Sequence, residues 1–264
     1  MNINHYKNNV EYGEAFKKKE KMLARKRNVK NRIKYLKKYF SDFKNKKFLE
    51  VGSHEGLFLK ELQLLGSDIL GIEPSERAAN YAASEGVKTI KASFEEAFAN
   101  IKEKFDAIFL FHVLEHMEDA EDCLKKIKSL LKQNGFIFIE IPNIKSYRSK
   151  KYGNDWEYIY DEHLHYFSLQ SLSKLLYDMD LKIYFRDFDD ANMSVKQSLD
   201  RLVPFKFFKN QKIKHIRSYQ INIQIRESGR FLNILFLPIR TLLRFFVKFL
   251  KRGDFILVVA SMKK

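Results

Sequence analysis

"KKFLEVGSHEGLFLKEL", Lys46 to Leu62, decides how the rest of the chain is read. An apolar run ends in Gly52, a second glycine follows at Gly56, and helical spacing resumes at once. A strand that bends at a glycine into a helix presents unpaired backbone N–H groups and a positive helix end, which suits an anion or another polar ligand. Glycine is required where the backbone turns sharply or must approach a ligand without a Cβ in the way. The dinucleotide fingerprint GxGxxG needs glycine at positions 54 and 57, where this chain has His54 and Leu57, so a nicotinamide dinucleotide fits badly. His54 is expected to point outward from the turn, with only Gly52 and Gly56 required to be bare.

Outward from that stretch, short apolar runs alternate with helical segments. The reading is strand 47–52, helix 56–65, strand 68–73, helix 75–85, strands 87–92 and 106–111, helix 118–133 and strand 135–141. Such an order predicts an α/β fold with a doubly wound parallel sheet and helices on both faces. Upstream, Val29, Ile33, Leu36, Phe40 and Phe43 form a helical stripe among lysines. Downstream lie a long polar, aromatic loop at 143–167, a helix at 168–179 and a strand at 181–188, and loops of that length usually carry function. Residues 193–230 read as mixed helix and coil. The division is a basic helical lid (1–46), a core (47–192), a basic helical insertion (193–253) and a last strand (254–264).

The chain has 264 residues, 45% of them hydrophobic, which is enough for a full core. Its single cysteine, Cys123, excludes an internal disulfide and favours a reducing, cytoplasmic setting. The net charge of +16 is unevenly placed: residues 1–47 carry +12, residues 193–264 carry +13, and the centre carries −9. Nucleic acid is disfavoured, because the stacking aromatics or recognition module that RNA binding adds are not found. Residues 231–250, "FLNILFLPIRTLLRFFVKFL", approach membrane-spanning length, but two arginines, a lysine and Pro238 argue against a span. That segment is expected to bury its apolar face against the domain or a second copy in a homodimer, with peripheral membrane contact as the rival.

The turn resembles the first motif of class I S-adenosylmethionine methyltransferases, with Glu50, Gly52 and Gly56 matching and His54 departing from the family's central glycine. "GSHEG" also follows the "GSNDG" of relatives that act on nucleotide-linked sugars. "GIEP" ends a second strand in Glu73 and Pro74, where the family keeps an acidic residue for the cofactor's ribose hydroxyls. "FDAIFLFHVLEHMED" (105–119) and "GFIFIEIPN" resemble the family's fourth and fifth strands. The resemblance implies a Rossmann-like, seven-stranded methyltransferase sheet. It further implies that Gly52 and Ser53 lie along the methionyl part of S-adenosylmethionine, that Ser93 and Phe94 flank its adenine, that His112 sits near it, and that S-adenosylhomocysteine is the product.

"IYDEHLHYFSLQSLSKLL" (159–176) resembles the "EHL-x-YFS" signature of sugar methyltransferases, whose Tyr, Glu and His line the acceptor site. A hydroxyl is a poor nucleophile at neutral pH, and histidine oriented by a neighbouring group is its natural base. The resemblance implies His163 as base, Glu162 as its orienter or an acceptor ligand, and Tyr160 as an acceptor hydrogen-bonding group. His116 with Glu115 is the rival pair. No metal is assigned; a site built from His163, His165, His112 and His116 is the alternative. The cysteine-rich zinc domain and added α/β domain of sugar C-methyltransferases are absent from this sequence. The expectation is O-methylation of a small-molecule acceptor, a saccharide or nucleotide-linked sugar of surface polysaccharide biosynthesis. The competing readings are an RNA methyltransferase and a non-catalytic scaffold that binds the cofactor.

Overall fold

The structure, a computed structural model, describes residues 19–189 and 250–262. The expected mixed region at 193–230, nearly all of the 231–250 segment and the first eighteen residues lie outside the described residues. Chain order begins with α1 (Lys19–Leu36), β1 (Lys47–Val51), α2 (Leu57–Leu64), β2 (Asp68–Ile72), α3 (Glu76–Ser84), β3 (Thr89–Ile90) and α4 (Phe94–Phe98). It continues with β4 (Phe105–Phe111), α5 (Ala120–Ser129), β5 (Leu131–Pro142), α6 (Tyr147–Tyr152), α7 (Leu169–Asp178), β6 (Leu181–Asp189) and β7 (Phe255–Met262). The seven strands form one sheet in the order β3-β2-β1-β4-β5-β7-β6. Strands β1 to β5 run parallel, and β7 is inserted antiparallel to both β5 and β6.

The two-residue period of a strand gives the sheet two chemically different faces. Phe48, Ala107, Phe109, Phe111 and Phe138 point to the side covered by α1 and α2, where Phe58, Leu59, Leu62, Val29 and Leu36 meet them. Leu49, Val51, Ile108, Leu110, Ile137, Ile139 and Val258 point to the other, under α4, α5 and α7. Phe109 centres the aromatic side, with the rings of Phe58, Phe138 and Phe111 at 4.9, 5.2 and 5.6 Å. The expected N-terminal stripe is real: Val29, Leu36, Phe40 and Phe43 are all buried on that side. Each such side chain removed from water contributes about 1.5–3 kcal/mol. Cys123 is buried under the aliphatic face, and burial pushes its thiol up to about 12.

Three expectations needed revision. The strand placed at 87–92 pairs only over Thr89–Ile90, and it is followed by a short helix, α4, that Ser93 caps in a reciprocal box with Glu96. Helix 118–133 stops at Ser129, because β5 begins at Leu131, ahead of a register shift against β4 between Phe105 and Ala107. The loop at 143–167 holds α6, capped by Ser146, and a single 3-10 turn at Gly153–Asp155. Among the described residues, no helix is long and apolar enough to cross a membrane.

Strand order reverses direction between β1 and β4, so the carboxyl ends of these strands border a crevice, the usual binding place in an open α/β sheet.

Candidate active site

At the end of β1 the backbone makes three left-handed residues in five: Gly52 (φ 69°), His54 (φ 51°) and Gly56 (φ 72°). Gly52 and Ser53 both donate to the Ile72 carbonyl, at 2.8 and 3.1 Å, which pins the turn to the end of β2. A Cβ on Gly52 would stand 2.7 Å from Val113 Cγ2, and one on Gly56 would stand 3.0 Å from Val87 Cγ1. His54 does not point outward. Its N–H donates to Glu73 Oε2 at 2.8 Å, and its ring lies against Arg25 of α1 and the Glu55 carboxylate. A non-glycine residue with this φ costs about 1–2 kcal/mol, and these partners hold it there.

The turn opens onto a cavity of about 450 Å³. Glu50, Gly52, Ser53, Glu73, Pro74, Ser93, Phe94 and His112 all line it. Gly56, placed by sequence with the same group, instead begins α2 and packs against Ala82 and Val87. Glu73 lies at the carboxyl end of β2 and accepts the Ser75 N–H as well as that of His54, both at 2.8 Å. Burial raises its pKa from the ordinary value, and the two N–H donors oppose that. Glu50 is pushed up to about 8, by burial first and by the nearby carboxylates, against the pull of Arg32. Glu50 Oε2 and Ser53 Oγ are buried without a hydrogen-bond partner among the described residues. Polar atoms left so, beside a backbone that tolerates no Cβ, fit a polar ligand held close to the turn.

A second cavity of about 320 Å³ adjoins the first, lined by Tyr35, Tyr158, His163, Phe255 and Leu257 among others. Asn28, Arg32, His112, His116 and Tyr160 line both and form their common wall. The Arg32 guanidinium stacks on Phe111 at 3.7 Å and donates to Glu140 Oε1 at 2.9 Å. His112 Nε2 stands 3.1 Å from the same Glu140 oxygen, and His112 Nδ1 stands 3.4 Å from Glu115. These carboxylates raise His112 to about 9 in spite of burial. In return, Arg32 and His112 hold Glu140 far below the usual carboxylate range, although burial alone would raise it.

From this wall the His116 imidazole meets that of His163 in the second cavity, their ring centroids 4.6 Å apart, and the Tyr160 ring is 4.1 Å from that of His163. His163 Nδ1 lies 2.7 Å from the Tyr158 carbonyl, and His116 Nδ1 lies 2.7 Å from the Glu162 carbonyl. Glu162 therefore enters this network through its main-chain oxygen, toward His116, and the group that orients His163 is Tyr158. Burial, with help from His116, lowers the pKa of His163, so its ring is neutral near pH 7. The 3-10 turn Leu114–His116 is tied to this loop by the Leu164 and His165 N–H groups, which donate to the Glu115 carbonyl at 2.9 and 3.1 Å. His165 itself turns toward the Glu118 carbonyl, 3.3 Å away.

Sequence reading missed Arg25, Asn28, Arg32, Glu140, Tyr158 and Phe255. Four of these had a visible signal. Arg25, Asn28 and Arg32 recur at helical spacing beside the apolar stripe, and Glu140 is a lone carboxylate in the strand "GFIFIEIP". Tyr158 and Phe255 are brought in by tertiary packing alone.

A family model described as "Methyltransferase domain" matches residues 23–184. Among curated proteins, the C-methyltransferase NovU of Streptomyces niveus is 28% identical over 51% of this chain and 32% of its own length. The ubiquinone biosynthesis O-methyltransferase of Pelagibacter ubique is 32% identical over 44% of this chain and 55% of its own. The chain thus spans about a third to about half of the length of these relatives. Among solved structures, a SAM-dependent methyltransferase from Thermotoga maritima superposes with a TM-score of 0.54 at 18% identity, covering 96% of this chain and 95% of that one, which is a likeness of fold.

Proposed function

The chain belongs to the class I S-adenosylmethionine-dependent methyltransferase family, and from that premise we propose that it transfers a methyl group from S-adenosylmethionine to a hydroxyl of a small-molecule acceptor. The observation that carries the reading is the common wall: a crevice built for a polar cofactor and a second, aromatic cavity share Arg32, His112, His116 and Tyr160.

The first cavity suits the cofactor. Glu73 would hold the ribose hydroxyls, Ser93 and Phe94 the adenine, and the Gly52–Ser53 turn with Glu50 and His112 the methionyl part. When bound, S-adenosylmethionine supplies an electrophilic methyl group. The protein's contribution is to hold the acceptor in line and to exclude water, which is worth several kcal/mol of barrier. Helix α1 serves as a lid, roofing the crevice with Arg25, Asn28 and Arg32. His163, kept neutral by burial and in one tautomer by its Nδ1–H bond to the Tyr158 carbonyl, takes the acceptor's proton on Nε2. Tyr160, beside it, hydrogen-bonds the acceptor.

For the acceptor we favour a saccharide or nucleotide-linked sugar of surface polysaccharide biosynthesis. Rings at Tyr35, Tyr158, Tyr160 and Phe255 offer faces to pyranose C–H groups, while Asn28, Asn31 and Arg32 offer donors to hydroxyls. Titration calorimetry with S-adenosylhomocysteine tests the reading first: one site per chain is expected, and no binding overturns it. Mass spectrometry of acceptor panels incubated with S-adenosylmethionine, containing sugars, nucleotide sugars and phenols, then decides the class, with a gain of one methyl on a sugar hydroxyl expected.

A further inference from the structure

Glu115, His116 and His163 each bring one ligand-type atom, a carboxylate oxygen and two imidazole nitrogens, to within 4.8 Å of one another, and all three residues are buried. Glu115 is only 1% exposed, and among the described residues neither of its carboxylate oxygens has a hydrogen-bond partner. The closest cationic neighbour is His112 Nδ1 at 3.4 Å. A carboxylate buried with so little compensation costs several kcal/mol. It is kept there by the main-chain bonds from Leu164 and His165 to its own carbonyl.

Each imidazole is also oriented by its far nitrogen, His116 Nδ1 on the Glu162 carbonyl and His163 Nδ1 on the Tyr158 carbonyl, both at 2.7 Å. That outer bond to a backbone oxygen is the one metal-ligating histidines make, because it fixes the ring and leaves Nε2 deprotonated. Two imidazoles and one carboxylate suit zinc and its first-row neighbours; magnesium and calcium take oxygen donors. His165, another of the histidines considered from sequence, turns away to Glu118. We propose that Glu115, His116 and His163 bind one divalent transition-metal ion, zinc in the first instance, with its open coordination positions toward the acceptor cavity. Donor atoms on one ion at about 2.1 Å lie about 3–4 Å apart, so small side-chain rotations close the site.

The proposal goes beyond methyl transfer and bears on its regulation. A His163 Nε2 that ligates zinc accepts no proton, so zinc occupancy and base catalysis at that atom exclude one another. The loaded protein is the inhibited form, and chelation restores it; this consequence alone rests on the base assignment above.

The test is equilibrium dialysis of the untagged, full-length protein against zinc and against cobalt(II), followed by elemental analysis and visible absorption of the cobalt form. One equivalent of zinc is expected, with cobalt d–d bands of a low-coordinate nitrogen-ligated site. Glu115→Gln and His163→Asn should each weaken binding about tenfold or more, and His165→Ala should bind as the unmodified chain does. Stoichiometric binding that survives Glu115→Gln and His163→Asn overturns the proposal. So does the lack of stoichiometric binding in the unmodified chain, a readout that stands even where a variant does not fold. Binding of S-adenosylhomocysteine, measured on the same samples, reports separately on the methyltransferase reading.

Discussion

Gly52 and Val113 face each other across the mouth of the crevice so closely that a Cβ at position 52 would lie 2.7 Å from Val113 Cγ2. Gly52 also sits at φ 69°, where an L side chain costs about 1–2 kcal/mol before any clash. Gly52→Ala is therefore expected to lower the melting temperature and to weaken S-adenosylhomocysteine binding. Adding Val113→Ala should recover the steric part of the lost stability and leave the backbone part. A double variant no more stable than Gly52→Ala alone would show that the close approach is not what requires glycine.

Glu73 binds two backbone N–H groups at once, those of His54 and Ser75. Glu73→Ala leaves both donors without that acceptor, at about 1–3 kcal/mol each if they stay dry. Affinity for S-adenosylhomocysteine should fall about 10- to 100-fold, which corresponds to about 1.4–2.8 kcal/mol, with Glu73→Gln between the two. Calorimetry gives the affinities, and hydrogen exchange at the His54 and Ser75 amides shows whether the turn has loosened. Unchanged affinity in Glu73→Ala removes Glu73 from the cofactor site.

The folded protein raises His112 to about 9 from an ordinary value of 6.5, through Glu115 and Glu140. A raised histidine contributes stability that is fully present below about pH 6.5 and is lost as pH climbs through about 9. Melting temperatures of chelator-treated protein should fall across that window. His112→Asn, which does not titrate, should be less stable at the acid end and show a flatter profile. Parallel profiles for the two proteins would refute the pairing.

His163→Ala is expected to lower kcat by about 10²- to 10⁴-fold, the usual worth of a general base, and to leave S-adenosylhomocysteine affinity within a few-fold of the unmodified chain. His116→Ala serves as the comparison, since its ring stands 4.6 Å away. If His116→Ala loses turnover and His163→Ala keeps it, the base is His116.

The sheet was legible because it rests on strong periodic signals. Alternating apolar runs name β1, β2, β4 and β5, and the returning last strand was expected from its apolar composition alone. The lining of the first crevice was legible for a related reason: its residues follow strand ends, and strand ends are fixed by the same pattern. Helix α4 was overlooked even though Ser93 and Glu96 spell its capping box, because five residues hold too few apolar positions to show a period. His54 was misjudged since nothing local announces Arg25, twenty-nine residues away, as its neighbour. The wall between the two cavities escaped for the same cause. Arg32 and Glu140 are 108 positions apart, and only the folding of α1 over the aromatic face brings them to 2.9 Å.

Strand β7 slots between β5 and β6 although it is the last of the three to be made. Every group lining the first crevice lies between Arg25 and Tyr160, whereas the second cavity needs Phe255 and Leu257. One continuous stretch of sequence thus encodes the donor side, while the acceptor side is closed by a strand more than ninety residues further on.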